Sequence, residues 1–163
     1  MAHRLPSALA AALVVTACAA AVSCGGPRRP APPPPDRDPL LLGGGPAPAP
    51  SLPDLLAAYP LGDARARADL LAVTEECSVF LLQTRDGVPP HLHRTHTERT
   101  RVLAGDGVCS IAGKDRPANA GAEFAIAPGT VHAVVNRGSS PLVALVVFTP
   151  PMTSIDADRV PVR

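Results

Sequence analysis

The stretch GVPPHLHRTHTERTRVLAG, residues 87–105, decides how this chain folds, together with a second stretch, GAEFAIAPGTVHAVVN, residues 121–136. Between them they hold four of the five histidines. His91 and His93 are two apart and share one face of a strand, because strand side chains alternate with period two. Glu98 follows within a few residues, and His132 arrives from a separate strand. Three neutral imidazoles and one carboxylate directed into one space form a ligand set for a divalent transition metal, with coordination positions left for water or substrate.

The sequence around these stretches reads as short strands: DLLAVT, CSVFLLQ, VPPHLH, TERTRVLA, GVCSIAG, AEFAIA, HAVVN and PLVALVVF. Turn signals separate them at Arg85-Asp86-Gly87, Gly105-Asp106-Gly107, Gly113-Lys114-Asp115, Pro128-Gly129 and Arg137-Gly138-Ser139. No helical period intervenes, so an antiparallel sandwich or barrel is expected. The chain has no Trp, and its larger rings are Tyr59, Phe80, Phe124 and Phe148. Its core must therefore be built from Val, Leu, Ile and Ala. Before the strands, Ser51 is placed to cap a short helix through Tyr59, with Pro53 and Asp54 in its first turn and Pro60 ending it.

Residues 1–23 read as an export signal, with Arg4 as the charged start and an apolar run from Leu5 to Val22. The run is long enough for a transmembrane anchor, but Pro6 and the many alanines weaken that reading. Ala21-Val22-Ser23-Cys24-Gly25-Gly26 resembles a bacterial lipobox, which implies cleavage before Cys24 and lipidation of that cysteine. Ala21 stands where such motifs usually have Leu, and Val15-Thr16-Ala17-Cys18 also fits, which leaves Cys18 as the alternative. The expected location is the bacterial cell envelope, as a membrane-anchored lipoprotein; plain secretion is the alternative. Residues 24–50 are expected to be a disordered Pro/Gly-rich tether, since proline recurs too often for a helix and removes the donors a sheet needs. Residues 51–163 then form one domain. Cys77 and Cys109 remain in it, either as a disulfide or as two buried thiols. A net charge of +1, without a Lys/Arg run in the mature region, gives no electrostatic case for nucleic acid.

The two histidine-bearing stretches resemble the paired motifs of the cupin superfamily. In the first, Gly87 precedes the HxH of His91 and His93, Glu98 comes after four intervening residues, and Gly105 after six more. In the second, Gly121 is followed by five residues, then Ala127-Pro128-Gly129, two residues, His132, three residues and Asn136. Two departures stand out: Gly87 lies three rather than five residues before the HxH, and Ala127 replaces the usual first proline. Neither touches a ligand position. The resemblance spans roughly residues 75–150 and implies an all-β fold, a single small antiparallel β-barrel of the double-stranded β-helix or jelly-roll type. It further implies His91, His93, Glu98 and His132 as ligands of one divalent transition metal (Fe, Mn, Ni, Cu or Zn). Cupins also commonly pair through sheet edges, which makes a homodimer an option.

His91-Leu92-His93-Arg94-Thr95-His96 also resembles the HxHxDH motif of metallo-β-lactamases, but Thr95 replaces the Asp that would hold a second metal. The strand region is too short for that two-layered fold, and the second motif would go unexplained. His96 is therefore expected at the rim or beside the ligands, with a fifth ligand as the minor option. If Glu98 and Thr100 share the inward face, Thr100 is a candidate to orient substrate, while Arg99 and Arg101 point outward. Glu123 and Gln83 are weak candidates for proton transfer or substrate contact, and no catalytic residue is assigned. Val102, Ile126, Val134 and Val146 are expected to line the interior. Two functional readings stay open: a metal-dependent oxidoreductase or isomerase acting on a small oxygen-bearing molecule, and a non-catalytic module holding a sugar, a metabolite or the metal.

Overall fold

The computed structural model describes residues 50–162; the expected signal segment 1–23, the cysteines Cys18 and Cys24, and the expected tether up to residue 49 lie outside the described residues. The described chain begins with helix α1 (Leu52–Ala58). Ser51 Oγ accepts from Asp54 N, and Asp54 Oδ2 accepts from Ser51 N at 3.0 Å, a reciprocal cap that satisfies donors the first turn leaves open. Ten strands follow: β1 (Ala66–Val73), β2 (Ser78–Thr84), β3 (Gly87–His93), β4 (Thr97–Ala104), β5 (Gly107–Ile111), β6 (Lys114–Pro117), β7 (Glu123–Ile126), β8 (His132–Asn136), β9 (Leu142–Thr149) and β10 (Arg159–Pro161). No helix among the described residues is long and apolar enough to cross a membrane.

The strands form two five-stranded antiparallel sheets, ordered β1-β2-β9-β4-β7 and β10-β3-β8-β5-β6, which is the jelly-roll architecture expected from the sequence. The inner face of the first sheet carries Phe80, Phe148, Val146, Phe124, Ile126 and Val102, all buried. Phe80 and Phe148 meet edge to face with centroids 5.9 Å apart. On the other face of that sheet Leu81 and Val143 pack with Leu55 of α1. Gln83 belongs to this support, not to the site: its Nε2 donates to Tyr59 O at 2.6 Å and fastens the end of α1 to β2. Of the two states left open for the cysteines, Cys109 is a free, buried thiol, so the Cys77–Cys109 disulfide does not form.

The connection from β2 to β3 sets the geometry of everything inside. Gly87 opens β3 at φ +128°, and a Cβ there would lie 2.1 Å from Val134 O, so only glycine lets β3 and β8 approach. Val88 pairs with Val134, but the next partners are His91 and His132, so three steps along β3 match two along β8. The extra residue falls at Pro89-Pro90, which have no N–H to give the ladder and are tolerated at a bulge. That bulge places His91 directly opposite His132.

Two strands were not legible beforehand. β6 (KDRP) is exposed throughout and carries no apolar alternation. Gly113-Lys114-Asp115 is accordingly not all turn: the reversal is made by Ala112 and Gly113, both at positive φ, and Lys114 already pairs with Ile111. The second is β10, whose three residues pair with β3 and which follows a segment tied back by the Met152 N to Ser78 Oγ bond at 3.2 Å.

Leu81 is fully buried on the side of the sheet away from the histidines. Leu81→Ala is expected to cost about 2–5 kcal/mol of unfolding free energy in a denaturant titration while leaving bound-metal content per folded chain unchanged.

Candidate metal centre

His91, His93, Glu98 and His132 come together in the interior between the two sheets, all buried, with one potential ligand atom from each lying within 4.8 Å of the others. The placement follows from register. His91 and His93 share the inner face of β3, the bulge sets His91 opposite His132, and Glu98 faces them from β4, where it pairs with Phe148 and Ile126. The second stretch is locked to the first at its turn: Gly129, at φ +74°, donates its N–H to His93 O at 2.6 Å, and His132 follows three residues later.

Hydrogen bonds choose which nitrogen each ring presents. His91 Nδ1 lies 2.9 Å from Pro89 O and His132 Nδ1 lies 3.0 Å from Thr130 O. A carbonyl only accepts, so both rings carry a proton on Nδ1 and turn Nε2 inward. Thr100 shares the inward face as expected and donates its hydroxyl to Glu98 Oε1 at 2.7 Å, leaving Oε2 toward the histidines. Glu98 Oε2 is 3.1 Å from His132 Nε2 and 3.4 Å from His93 Nε2. The longer contact has the distance of an ion pair but not hydrogen-bond geometry, so both His93 nitrogens are buried without a hydrogen-bond partner. An orphaned buried imidazole beside a carboxylate and two preset Nε2 atoms fits a divalent cation, which takes a lone pair from each.

The electrostatics point the same way. Burial pulls His91 down to about 4, partly opposed by its bond to Pro89 O, so it is neutral near pH 7. Burial also works against charge on His132, but the hydrogen bond and the charge of Glu98 outweigh it and hold this imidazole above its usual value. Burial alone would raise Glu98; its contacts with His132, His93 and Thr100 prevail and keep the carboxyl well below the ordinary range. The metal-free arrangement is therefore a protonated His132 against an ionised Glu98.

His96 is not in this cluster. Its Nδ1 lies 2.8 Å from Asp158 Oδ2, and its ring meets the edge of Phe148, which in turn touches the His93 ring with centroids 4.7 Å apart. It is not one of the four clustered donors, and it does not line the cavity. Asp158 also accepts from Thr95 N and His96 N at 2.8 and 3.2 Å, donors that keep its carboxyl well below the usual range. Glu123 sits outside, paired with Arg101 at 3.1 Å on the exposed face, and has no access to the interior. Asn136 is structural, its side chain bonding Arg85 O, Ser140 O and Gly138 N.

The donors open on a cavity of about 260 Å³. Val102, Ile126, Val134 and Val146 line it as expected, with Thr100, Phe124 and Cys109. Burial, reinforced by the charge of Glu98, raises the Cys109 thiol to about 11, so it stays protonated. Sequence reading missed Ile155, Asp156 and Arg159, which also line the cavity. A three-residue strand has no period to read, and charged residues near a terminus carry no signal that they turn inward.

Two facing antiparallel sheets around a buried cluster of three histidines and a glutamate define the class: a double-stranded β-helix with a centre that could hold a metal. Residues 78–148 match the cupin domain model, and this stretch, with the two-sheet architecture, supports a cupin domain within the chain. No curated protein matches the sequence. Among solved structures it is similar to TT1209 from Thermus thermophilus (TM-score 0.54, 21% identity, 61% of this chain and 96% of that one). It is also similar to KdgF from Halomonas sp. (0.51, 21%, 56% and 84%). A third is Pac13 from Streptomyces, described as a nucleoside dehydratase (0.52, 18%, 61% and 79%), with one of its variants also solved with uridine (0.52, 18%, 61% and 78%). At these identities the likeness is one of fold.

Loading a cation must displace the proton on His132, and His91 contributes no further proton loss above pH 5. Metal affinity is therefore expected to fall by at least about tenfold for each pH unit below the raised His132 value. Competition against a chelator of known pH dependence between pH 5.5 and 8.5 reads this directly; a flat profile would contradict the assigned pair.

Proposed function

We propose that this chain is a metal-dependent cupin of the bacterial cell envelope that binds a small oxygen-bearing molecule in its cavity and acts on it by oxidation or isomerisation. The observation that carries the reading is the four-residue donor set, His91, His93, Glu98 and His132, buried at the wall of an otherwise mainly apolar cavity. A bound divalent ion would polarise a ligand oxygen as a Lewis acid. The chain's own residues do the rest. Pro89 O and Thr130 O hold two imidazoles in the tautomer that presents Nε2, Thr100 fixes the rotation of Glu98, and the valines, Ile126 and Phe124 exclude water from the ligand's body.

A second reading, a binding module without turnover, is favoured by one observation. Of the titratable groups lining the cavity outside the donor set, Cys109 is held protonated and the rest are Asp156 and the two arginines Arg67 and Arg159, so proton transfer has few candidates. Export rests on the signal-like residues 1–23 and anchoring on the lipobox-like stretch ending in Cys24, with release into the medium as the alternative.

The purified chain is expected to carry about one divalent metal by elemental analysis, and His93→Ala to lose it while keeping the strand signature in circular dichroism. Metal content near zero after reconstitution would sink the reading; saturable ligand binding without product would select the module over the enzyme. For the anchor, Cys24→Ala should move the protein out of the membrane fraction. If Cys18→Ala does so instead, the attachment point is Cys18.

A further inference from the structure

The geometry points to Arg159 as the anion-binding residue of the cavity, and to a small monocarboxylic acid with a second oxygen, a hydroxy or keto acid with an apolar body, as the ligand class. The register makes the first part of the argument. Arg159 pairs directly with His93 across β10 and β3, and residues opposite one another on neighbouring strands project from the same face. His93 faces the interior, so Arg159 does too, and it lines the cavity with the histidines. Its neighbour Asp158 turns the other way and clasps the β3–β4 turn through Thr95 N, His96 N and His96 Nδ1. The guanidinium therefore projects from a backbone pinned one residue earlier.

The second part is the arginine's unmet donor. Two arginines line the cavity among the described residues. Arg67 is already engaged, holding both oxygens of Asp69 at 2.6 Å and donating Nη1 to Pro60 O at 3.0 Å. Arg159 reaches Asp156 Oδ1 with Nη1 at 3.5 Å, a long contact to a carboxylate 72% exposed, and its Nε is buried with no partner. The contact to Asp156 uses Nη1 and leaves Nε unpartnered; Nε and Nη2 share one edge of a guanidinium, whose two parallel N–H groups match the two oxygens of a carboxylate. The Coulombic influence of Arg159 reaches both His91 and His132, which places the positive charge within range of the donor set.

The ligand class follows from what surrounds this edge. Asp156 and Glu98 already bring negative charge to the cavity, so one guanidinium accommodates a monoanion better than a phosphate dianion. Val102, Phe124, Ile126 and Val146 leave an apolar volume for the ligand's body. The cavity's 260 Å³ is at the small end of ligand sites, which suits a small metabolite. The second oxygen, directed to the metal, rests on the proposed metal centre; the carboxylate site at Arg159 does not.

Isothermal titration of the full chain with 2-hydroxybutanoate and with its neutral counterpart 1,2-butanediol separates these parts. It is run on the wild type, Arg159→Gln and Arg159→Lys, each with and without zinc, with metal content measured on the same samples. The expected result is a loss of tenfold or more in acid affinity for Arg159→Gln, unchanged diol affinity and metal content, and partial recovery in Arg159→Lys, which keeps charge but not the paired donors. Equal acid affinity in the wild type and Arg159→Gln, or no preference for the acid in the wild type, overturns the assignment. Should Arg159→Gln fail to fold, unchanged acid affinity in Arg159→Lys overturns it instead. If no sample retains zinc, yet the metal-free wild type prefers the acid and Arg159→Gln loses that preference, the carboxylate site stands and the metal centre falls.

Discussion

An ionised carboxylate inside a small apolar barrel is the constraint around which the rest is arranged. Burying Glu98 without partners would cost several kcal/mol or force it to take up a proton. The fold meets that demand from three directions, with the Thr100 hydroxyl on one oxygen and His132 and His93 beside the other. Each partner comes from a different place in the chain order, β3, β4 and β8, so the barrel has to close correctly for the charge to be tolerated at all. The same compensation makes the cluster responsive to a cation, because an ion that replaces the proton on His132 satisfies every one of these groups at once.

The supports beyond that cluster are mostly backbone groups. Carbonyls of Pro89 and Thr130 orient two imidazoles, and the Gly129 amide joins the second turn to the last residue of β3. Backbone partners cannot be changed by substitution at their own positions, except through residues such as Gly87 that set the path. The polar work of the site is thereby given to the fold, while the side chains lining the cavity remain free to be apolar.

How much of this the sequence disclosed follows from the range of each signal. Alternation is local, so Glu98 and Thr100 inward with Arg99 and Arg101 outward could be read directly, as could the Ser51 cap with Asp54 three residues on. The fold was legible because two spaced motifs and eight short apolar runs agree with one architecture. Contacts between distant residues were not legible: Asp158 meets His96 across 62 positions, and nothing near either residue announces the other. β6 hid because an exposed strand has no apolar face, and β10 because three residues show no period. Gln83 and Glu123 looked like candidates for chemistry only because composition cannot tell a residue that braces a helix, or one paired on the outer face, from one facing a cavity.

The bulge at Pro89-Pro90 makes the span between Gly87 and His91 sensitive to length in a way it is not sensitive to identity. Since successive strand residues face opposite sides, gaining one residue there that the bulge does not absorb would turn the entire histidine pair to the outside while leaving the HxH spacing intact, whereas losing the bulge's extra residue would restore regular pairing with His91 still opposite His132. A homologous chain could therefore keep every ligand letter and still have no centre, and in comparing such chains a single-residue insertion in this loop-to-strand passage carries more information than several substitutions within it.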